Sequence, residues 1–425
     1  MAPRQCGTAA AQEQKNHARK CRPLRRRVGD VSPTGVSKEV TSLSQRIETN
    51  DADCPTPIGI HLSMPDGLRL PIDELIAMHE RVLRAEGRRA LEYGGNQGYE
   101  GLREWLASDY RSKESAPVAA QSIVLTSGAS GGLKDLCDAL INPGDVILTE
   151  QPTFAGSIRT LVASGAEVMG ITIARDGLDP GDLKRVVEEI GRAGKRIKLL
   201  YAVPNFNNPT AALLSVQKRR KIAEICRAAD ILVVQDDAFA DLSLGPELPL
   251  SFWSIMEGEG VAVLGTFSKT LAPGLRLGWA LAEPRVTEAL VRGRLDLGVS
   301  PLTARVVADY CASGSYRSHV RDMIPVYRRK RDALLTELDA HRSRLGSWNA
   351  PEGGFSLWIE LDSAVDALRL QQATRDEGVL VADGRAFFVD EPRSQAIRLC
   401  FSNASDAELK EAVRRLGRAL DAARP

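Results

Sequence analysis

No stretch of this 425-residue chain reaches the ~18–20 consecutive apolar residues that a bilayer-spanning helix needs. A membrane span is not expected. Paired cysteines are missing too: the seven at 6, 21, 54, 137, 226, 311 and 400 are scattered and include no C-x-x-C. That argues against a disulfide framework or a zinc site and fits a reducing, cytoplasmic setting. Nor is there an excess of one charge. With 56 Lys+Arg against 55 Asp+Glu the formal net charge is +1, so no overall field holds nucleic acid or an anionic membrane. The expected partner is a small molecule. G-x-G-x-x-G and Walker-type loops are absent as well.

What is present is ordinary globular material, 43% hydrophobic and 26% charged, which excludes collagen-like and wholly disordered classes. At 46.1 kDa the chain exceeds what one hydrophobic core serves, since cores stop growing near ~250–300 residues. Two lobes are expected. Residues 1 to 50 hold ten Lys+Arg against four Asp+Glu, with a cluster from Lys15 to Arg27. Residues 1–36 read as a disordered basic arm; without an apolar core segment it is no secretory signal.

From Ile72 the pattern becomes rhythmic. Ile72, Leu75, Ile76, Met78, Val82 and Leu83 lie at helical spacing behind Pro71. Short β-branched runs then alternate with helical stretches: IVLT (123–126), VILTE (146–150), EVMGITI (167–173), IKLLYAV (197–203), ILVVQD (231–236) and VAVLGT (261–266). Such alternation builds a parallel sheet with helices on both faces, and ligands collect at the carboxyl ends of its strands. The rhythm stops near 300. A charged helical stretch at about 316–342 leads to FSLWIEL (355–361), the start of a second lobe.

The polar residues at the strand ends form a set. After IVLT stands Ser127-Gly128-Ala129-Ser130-Gly131-Gly132 and then a helix, which reads either as an anion cradle at a helix N-terminus or as a plain Gly-rich turn. Phe154 follows VILTE, and Asn205-Phe206-Asn207-Asn208-Pro209 follows IKLLYAV; alone they are a core aromatic and loop chemistry. Asp236-Asp237 ends an apolar strand, where a carboxylate needs a cation or donors, or serves as a helix cap. Most specific is Thr266-Phe267-Ser268-Lys269-Thr270-Leu271-Ala272-Pro273-Gly274-Leu275-Arg276. It puts an amine and an anion clamp together at a strand end, and a desolvated lysine is a nucleophile toward carbonyls.

These motifs, with LEYGGNQGYEGLREWLA (91–107), PEGGFSLW (351–358) and IRLCFS (397–402), resemble the fold-type I pyridoxal phosphate enzymes of the class I/II aminotransferases, and most closely the 2-aminoadipate aminotransferase-like group. The resemblance covers about Ser37 to Leu420. It implies an α/β fold: a large domain with a mainly parallel sheet covered by helices on both faces, plus a smaller α/β C-terminal domain. The expected divisions are an N-terminal segment at 37–65 packing with the small domain, a cofactor-binding domain at 66–310 and the small domain at 311–425. The activity implied is transfer of an α-amino group between an L-amino acid and a 2-oxo acid. The alternative is other carbanion chemistry on the same scaffold, such as replacement, elimination, cyclisation or oxidation. The cofactor implied is pyridoxal 5'-phosphate and the assembly a homodimer with a shared site.

By the same resemblance Lys269 would carry the cofactor as an internal aldimine and move the Cα proton. Asp236 would pair with the pyridine nitrogen, Asn208 would donate to the phenolic oxygen, and Phe154 would stack on the ring. Gly128, Ala129, Ser130, Thr266, Ser268 and Arg276 would meet the phosphate, with Tyr93 reaching it from a partner subunit. Arg398 would bind the substrate carboxylate, and Ser63 would lie beside the substrate. The chain departs from the family inside this site. Phe239 stands where tyrosine is usual, Leu62-Ser63 replaces paired glycines, Ala129 and Ser130 replace a hydroxyl and a glutamine, Ala211 replaces glycine, and Cys400 takes an asparagine position. Ser215-Val216-Gln217-Lys218 has the S-x-x-K form of an acyl-enzyme serine but reads as the start of an amphipathic helix, its companion motifs being absent.

Overall fold

A computed structural model describes residues 57–392 and 394–423. The arm at 1–36 and the stretch 37–56 of the N-terminal segment lie outside the described residues.

The chain enters through β1 (Ile58–Gly59), and the helix Ile72–Glu86 follows at Pro71 with Asp73 and Glu74 in its first turn, where acidic residues meet the positive end of the helix dipole. The large sheet is then laid down by β2 (Ile123–Thr126), β3 (Val146–Gln151), β4 (Glu167–Ala174), β5 (Gly177–Leu178), β6 (Ile197–Ala202), β7 (Leu232–Asp236), β8 (Val261–Thr266) and β9 (Gly278–Ala282). Their order across the sheet is β2-β9-β8-β7-β6-β3-β4-β5. The five central strands β8, β7, β6, β3 and β4 run parallel, and their residues are almost wholly buried apart from β4, as expected when helices cover both faces. The helices Gly128–Leu140, Ala155–Ala163, Pro180–Arg192 and Val216–Ala228 are the crossovers. Two begin on side-chain caps: Asp179 accepts from Gly181 N and Asp182 N, and Ser215 accepts from Lys218 N. The S-x-x-K serine is thus a helix cap.

β9 was not expected from the sequence. It runs antiparallel between β2 and β8, pairing Gly278 with both Thr126 and Thr266. A Cβ on Gly278 would stand 2.4 Å from the Gly265 carbonyl and 2.7 Å from Gly128 Cα, so only glycine lets the 128 turn close onto this strand.

The second lobe is an antiparallel sheet of β10 (Gly346–Ser347), β11 (Ser356–Leu361), β13 (Ala382–Asp383) and β14 (Ala396–Cys400), ordered β10-β11-β14-β13. β12 (Val379–Leu380) pairs in parallel with β1. The helix Ser315–Asp339 joins the lobes: Tyr316 and Val320 belong to the large core, Met323 through Leu338 to the small one.

The N-terminal segment is fastened to the small lobe. Cys400 N donates to the Ile60 carbonyl at 2.7 Å. Asp66 pairs with Lys330 at 2.7 Å, both side chains buried, while Lys330 also donates to the Ser402 carbonyl and Asp66 N donates to the Tyr327 hydroxyl. A buried pair satisfied this fully is costly to break, about 3–5 kcal/mol when one partner is removed. No helix among the described residues is long and apolar enough to cross a membrane.

Candidate active site

The carboxyl ends of β6, β7 and β8 open into a cavity of ≈ 220 Å³ lined by Gly128, Ala129, Ser130, Phe154, Tyr201, Val203, Asn208, Asp236, Ala238, Phe239, Thr266, Ser268, Lys269, Pro273 and Arg276. These positions are far apart in sequence and meet because parallel strands deliver all their ends to one edge.

One end of the cavity is built for an anion. The helix Gly128–Leu140 starts here, at Gly128 with φ +73°, and its first backbone N–H groups have no partner within the helix. Thr266 Oγ1 accepts from Ser268 N at 3.1 Å and donates to Ser268 Oγ at 2.9 Å. Arg276, held in a left-handed conformation at φ +46°, donates to the Ser127 carbonyl at 3.1 Å. A Cβ on Gly128 would sit 3.4 Å from Arg276 Nη2 and 3.6 Å from Thr266 Oγ1, so the missing side chain leaves a space rimmed by these donors. A phosphate group fits such a donor set.

At the other end Asp236, at the end of β7, and Lys269, in the loop after β8, face the same space. Lys269 Nζ donates to the Ser63 carbonyl at 2.7 Å and lies 6.0 Å from the centre of the Phe239 ring. Burial lowers its pKa, with Arg398 and Arg276 adding to the effect and Asp236 opposing it. Asp236 accepts from the Tyr201 hydroxyl at 2.7 Å on Oδ2 and from Ala238 N at 3.0 Å on Oδ1. Burial raises its pKa, and these two donors and Lys269 pull it back. Asp237 turns away: it accepts from Gln235 Nε2 at 2.6 Å and Asn205 Nδ2 at 2.8 Å, and burial pushes it up to about 7.

The small lobe supplies Arg398 from β14. Its Nη1 donates to Asn208 Oδ1 at 2.8 Å, its Nη2 donates to the His61 carbonyl, and its buried Nε has no partner. Ser63 reaches the site through its carbonyl, as the Lys269 contact shows. Tyr93 does not join this cluster; it is 86% exposed and lines no part of the cavity.

Three groups had not been singled out from the sequence. Tyr201 was read only as part of an apolar strand. Glu150 is buried at the end of β3 and accepts from Val203 N and Asn207 Nδ2, both at 2.8 Å; burial pushes its pKa up to about 7. The charge closing the apolar run VILTE was the available signal. Arg219, fully buried, donates to Asn205 Oδ1 at 2.6 Å and to the carbonyls of Pro204 and Leu214. Lying among basic neighbours on its helix, it gave no signal at all. Together Glu150 and Arg219 fasten the 203–208 loop that carries Asn208.

The family model described as "Aminotransferase class I and II" matches residues 62–416. The chain is similar to aromatic-amino-acid aminotransferase 1 of Thermococcus litoralis, at 28% identity over 89% of this chain and 90% of the relative. In structure it resembles a multiple substrate aminotransferase from Thermococcus profundus, with TM-score 0.84 and 28% identity over 91% of this chain and 96% of that one. It likewise resembles α-aminoadipate aminotransferase from Thermus thermophilus complexed with N-(5'-phosphopyridoxyl)-L-leucine, with TM-score 0.80 and 27% identity over 86% and 92% of the two chains.

Glu150 yields a pH test. An acid whose pKa is raised in the fold is protonated there while it is ionised in the unfolded chain, so between its ordinary value of 4.5 and about 7 rising pH removes stability. Glu150→Gln keeps an oxygen for Val203 N and Asn207 and deletes the charge. The variant should lose on the order of 3 kcal/mol of the stability difference between about pH 5 and about pH 8. Denaturant unfolding of both proteins at the two pH values measures it; identical pH slopes would contradict the assignment.

Proposed function

The chain belongs to the class I and II aminotransferases, and from that premise we propose that it moves an α-amino group from an L-amino acid to a 2-oxo acid using pyridoxal phosphate held in the cavity at the ends of β6, β7 and β8. The observation that carries this reading is the shared cavity of Lys269 and Asp236, with Arg276, Thr266, Ser268 and a helix N-terminus at its anion end. When bound, the cofactor supplies a carbonyl carbon that exchanges amines and a ring that accepts electrons from the substrate Cα.

The protein's own residues divide the remaining work. Lys269 is desolvated, so its Nζ loses its proton more readily than an exposed lysine and serves first as nucleophile, then as the base at the substrate Cα. Asp236 holds the proton of the ring nitrogen. Asn208 has its Oδ1 occupied by Arg398, which leaves its amide N–H to donate to the ring oxygen. Phe154 packs against the ring. Phe239 stands where a hydroxyl is usual, so Asn208 serves that oxygen without a tyrosine beside it. Arg398 takes the substrate carboxylate in a two-pronged contact, exchanging it for the His61 carbonyl. We place this activity in the cytoplasm.

The active form in this reading is a homodimer in which Tyr93 of each chain reaches the phosphate of the other. Support comes from the helix Ile72–Glu86. Its inner side packs Leu75, Met78 and Val82 near Val306, yet Ile72 and Ile76 stay 56% and 60% exposed. Leu68, Leu91 and Leu295 are also exposed, and a partner subunit covering such residues would take their apolar area out of water.

Borohydride reduction of the yellow protein followed by peptide mapping should place the pyridoxyl mass on the peptide containing Lys269. The same mass on any other lysine would overturn the assignment. Sedimentation should give a dimer, and Tyr93→Phe should weaken cofactor retention by the value of one hydrogen bond to a charged group, about 1.5–3 kcal/mol. A monomer retaining full cofactor would contradict the shared site.

A further inference from the structure

Tyr201 takes part in none of the steps above, yet its hydroxyl touches the carboxylate on which the cofactor's ring depends. We infer that Tyr201 is a positioning residue for Asp236, and that Ser157 fixes the direction in which its hydroxyl donates. The inference rests on the proposed cofactor site.

Tyr201 lies on β6, paired with Val234 of β7, and is fully buried. Its Oη is 2.7 Å from Asp236 Oδ2 and 2.8 Å from Ser157 Oγ. An ionised carboxylate accepts only, so the single proton of the tyrosine goes to Asp236 and the serine must donate to Oη. Ser157 is buried as well, at 2% exposure, so water does not take its place. The chain Ser157, Tyr201, Asp236 therefore has one polarity. Ala238 N holds the other carboxylate oxygen at 3.0 Å, and each oxygen keeps a lone-pair position for a further donor. The plane of the carboxylate is set by one side chain and one backbone group.

Packing alone does not account for this tyrosine, because phenylalanine fills the same volume without burying a hydroxyl. Lys269 faces Asp236 from the loop after β8 and favours its ionisation, while burial opposes it. Without the phenolic donor, burial shifts the balance toward a neutral Asp236, and a neutral acid does not keep the ring nitrogen protonated.

The test uses wild type, Tyr201→Phe and Ser157→Ala, each titrated with pyridoxal phosphate isotope-labelled at the ring nitrogen. Two quantities are read: the cofactor Kd, and the nitrogen resonance, which reports protonation of that atom. Tyr201→Phe should raise Kd roughly 10- to 100-fold, the size of a hydrogen bond to a charged group, and move the resonance toward the unprotonated position. Its cofactor-free melting temperature should stay at the wild-type value. Ser157→Ala should shift both readouts the same way by less, and it carries the test if Tyr201→Phe does not fold. In an Asp236→Asn background Tyr201→Phe should add almost nothing. Wild-type Kd and resonance in both variants would overturn the inference, as would a full additional loss in the Asp236→Asn background. A wild-type chain that fails to bind pyridoxal phosphate would instead overturn the underlying reading, and this inference with it.

Discussion

The site depends on keeping a carboxylate and an amine out of water and charged appropriately at the ends of two neighbouring strands. Asp236 closes β7 and Lys269 follows β8. Desolvation pushes both toward their neutral forms, the acid upward and the amine downward. For Lys269 that tendency is useful, since a neutral amine is a nucleophile. For Asp236 it must be resisted. Tyr201 and Ala238 N resist it directly, and behind them a second tier holds the geometry: Glu150 on Val203 and Asn207, Arg219 on Asn205, Asn205 and Gln235 on Asp237. A buried polar network fixes side chains only when its members are satisfied, and here each of these links is made.

This explains why the strand ends could be read from the sequence and the supports behind them could not. An apolar run that stops at a polar residue marks a strand end whatever lies beside it, so Asp236 and Thr266 stood out, whereas Asn208 read alone as loop chemistry and took its role from the family resemblance. The lysine did so more strongly because hydroxyls and Arg276 accompany it. Tyr201 and Glu150 sit inside or at the close of strands, and their meaning comes from which strand lies alongside. Strand order, β7 beside β6 and β6 beside β3, is not written in periodicity. β9 escaped for a related reason. Its first residues, Gly278 and Trp279, continue a glycine-rich loop, and only the close approach of Gly128 and Gly265 shows why glycine stands there. The lobe boundary was blurred because the helix Ser315–Asp339 carries residues of both cores on one continuous element.

The departures from the family pattern have physical consequences. Phe239 is buried and meets Phe355 edge-on with ring centres 5.5 Å apart, so a position that commonly offers a hydroxyl to the cofactor here packs into the small lobe's core. Leu62 lies between two residues whose carbonyls hold the site's cations, His61 on Arg398 and Ser63 on Lys269. The N-terminal segment that bears it is anchored on either side, by Ile60 to Cys400 and by Asp66 to Lys330. Arg398 and Lys269 thus rest on backbone oxygens, which in the proposed reading they would give up when substrate and cofactor bind.

The most direct measurement of the central claim is a half-reaction. Protein loaded with pyridoxal phosphate is mixed with one amino acid at a time from aromatic, aliphatic and acidic classes, without any oxo acid, and the products are counted per site. The amino acid that reacts should yield a single equivalent of its 2-oxo acid and no ammonia, with renewed release only when a second 2-oxo acid is added as acceptor. Continuous release of ammonia, or a product whose side chain has been replaced, would contradict it.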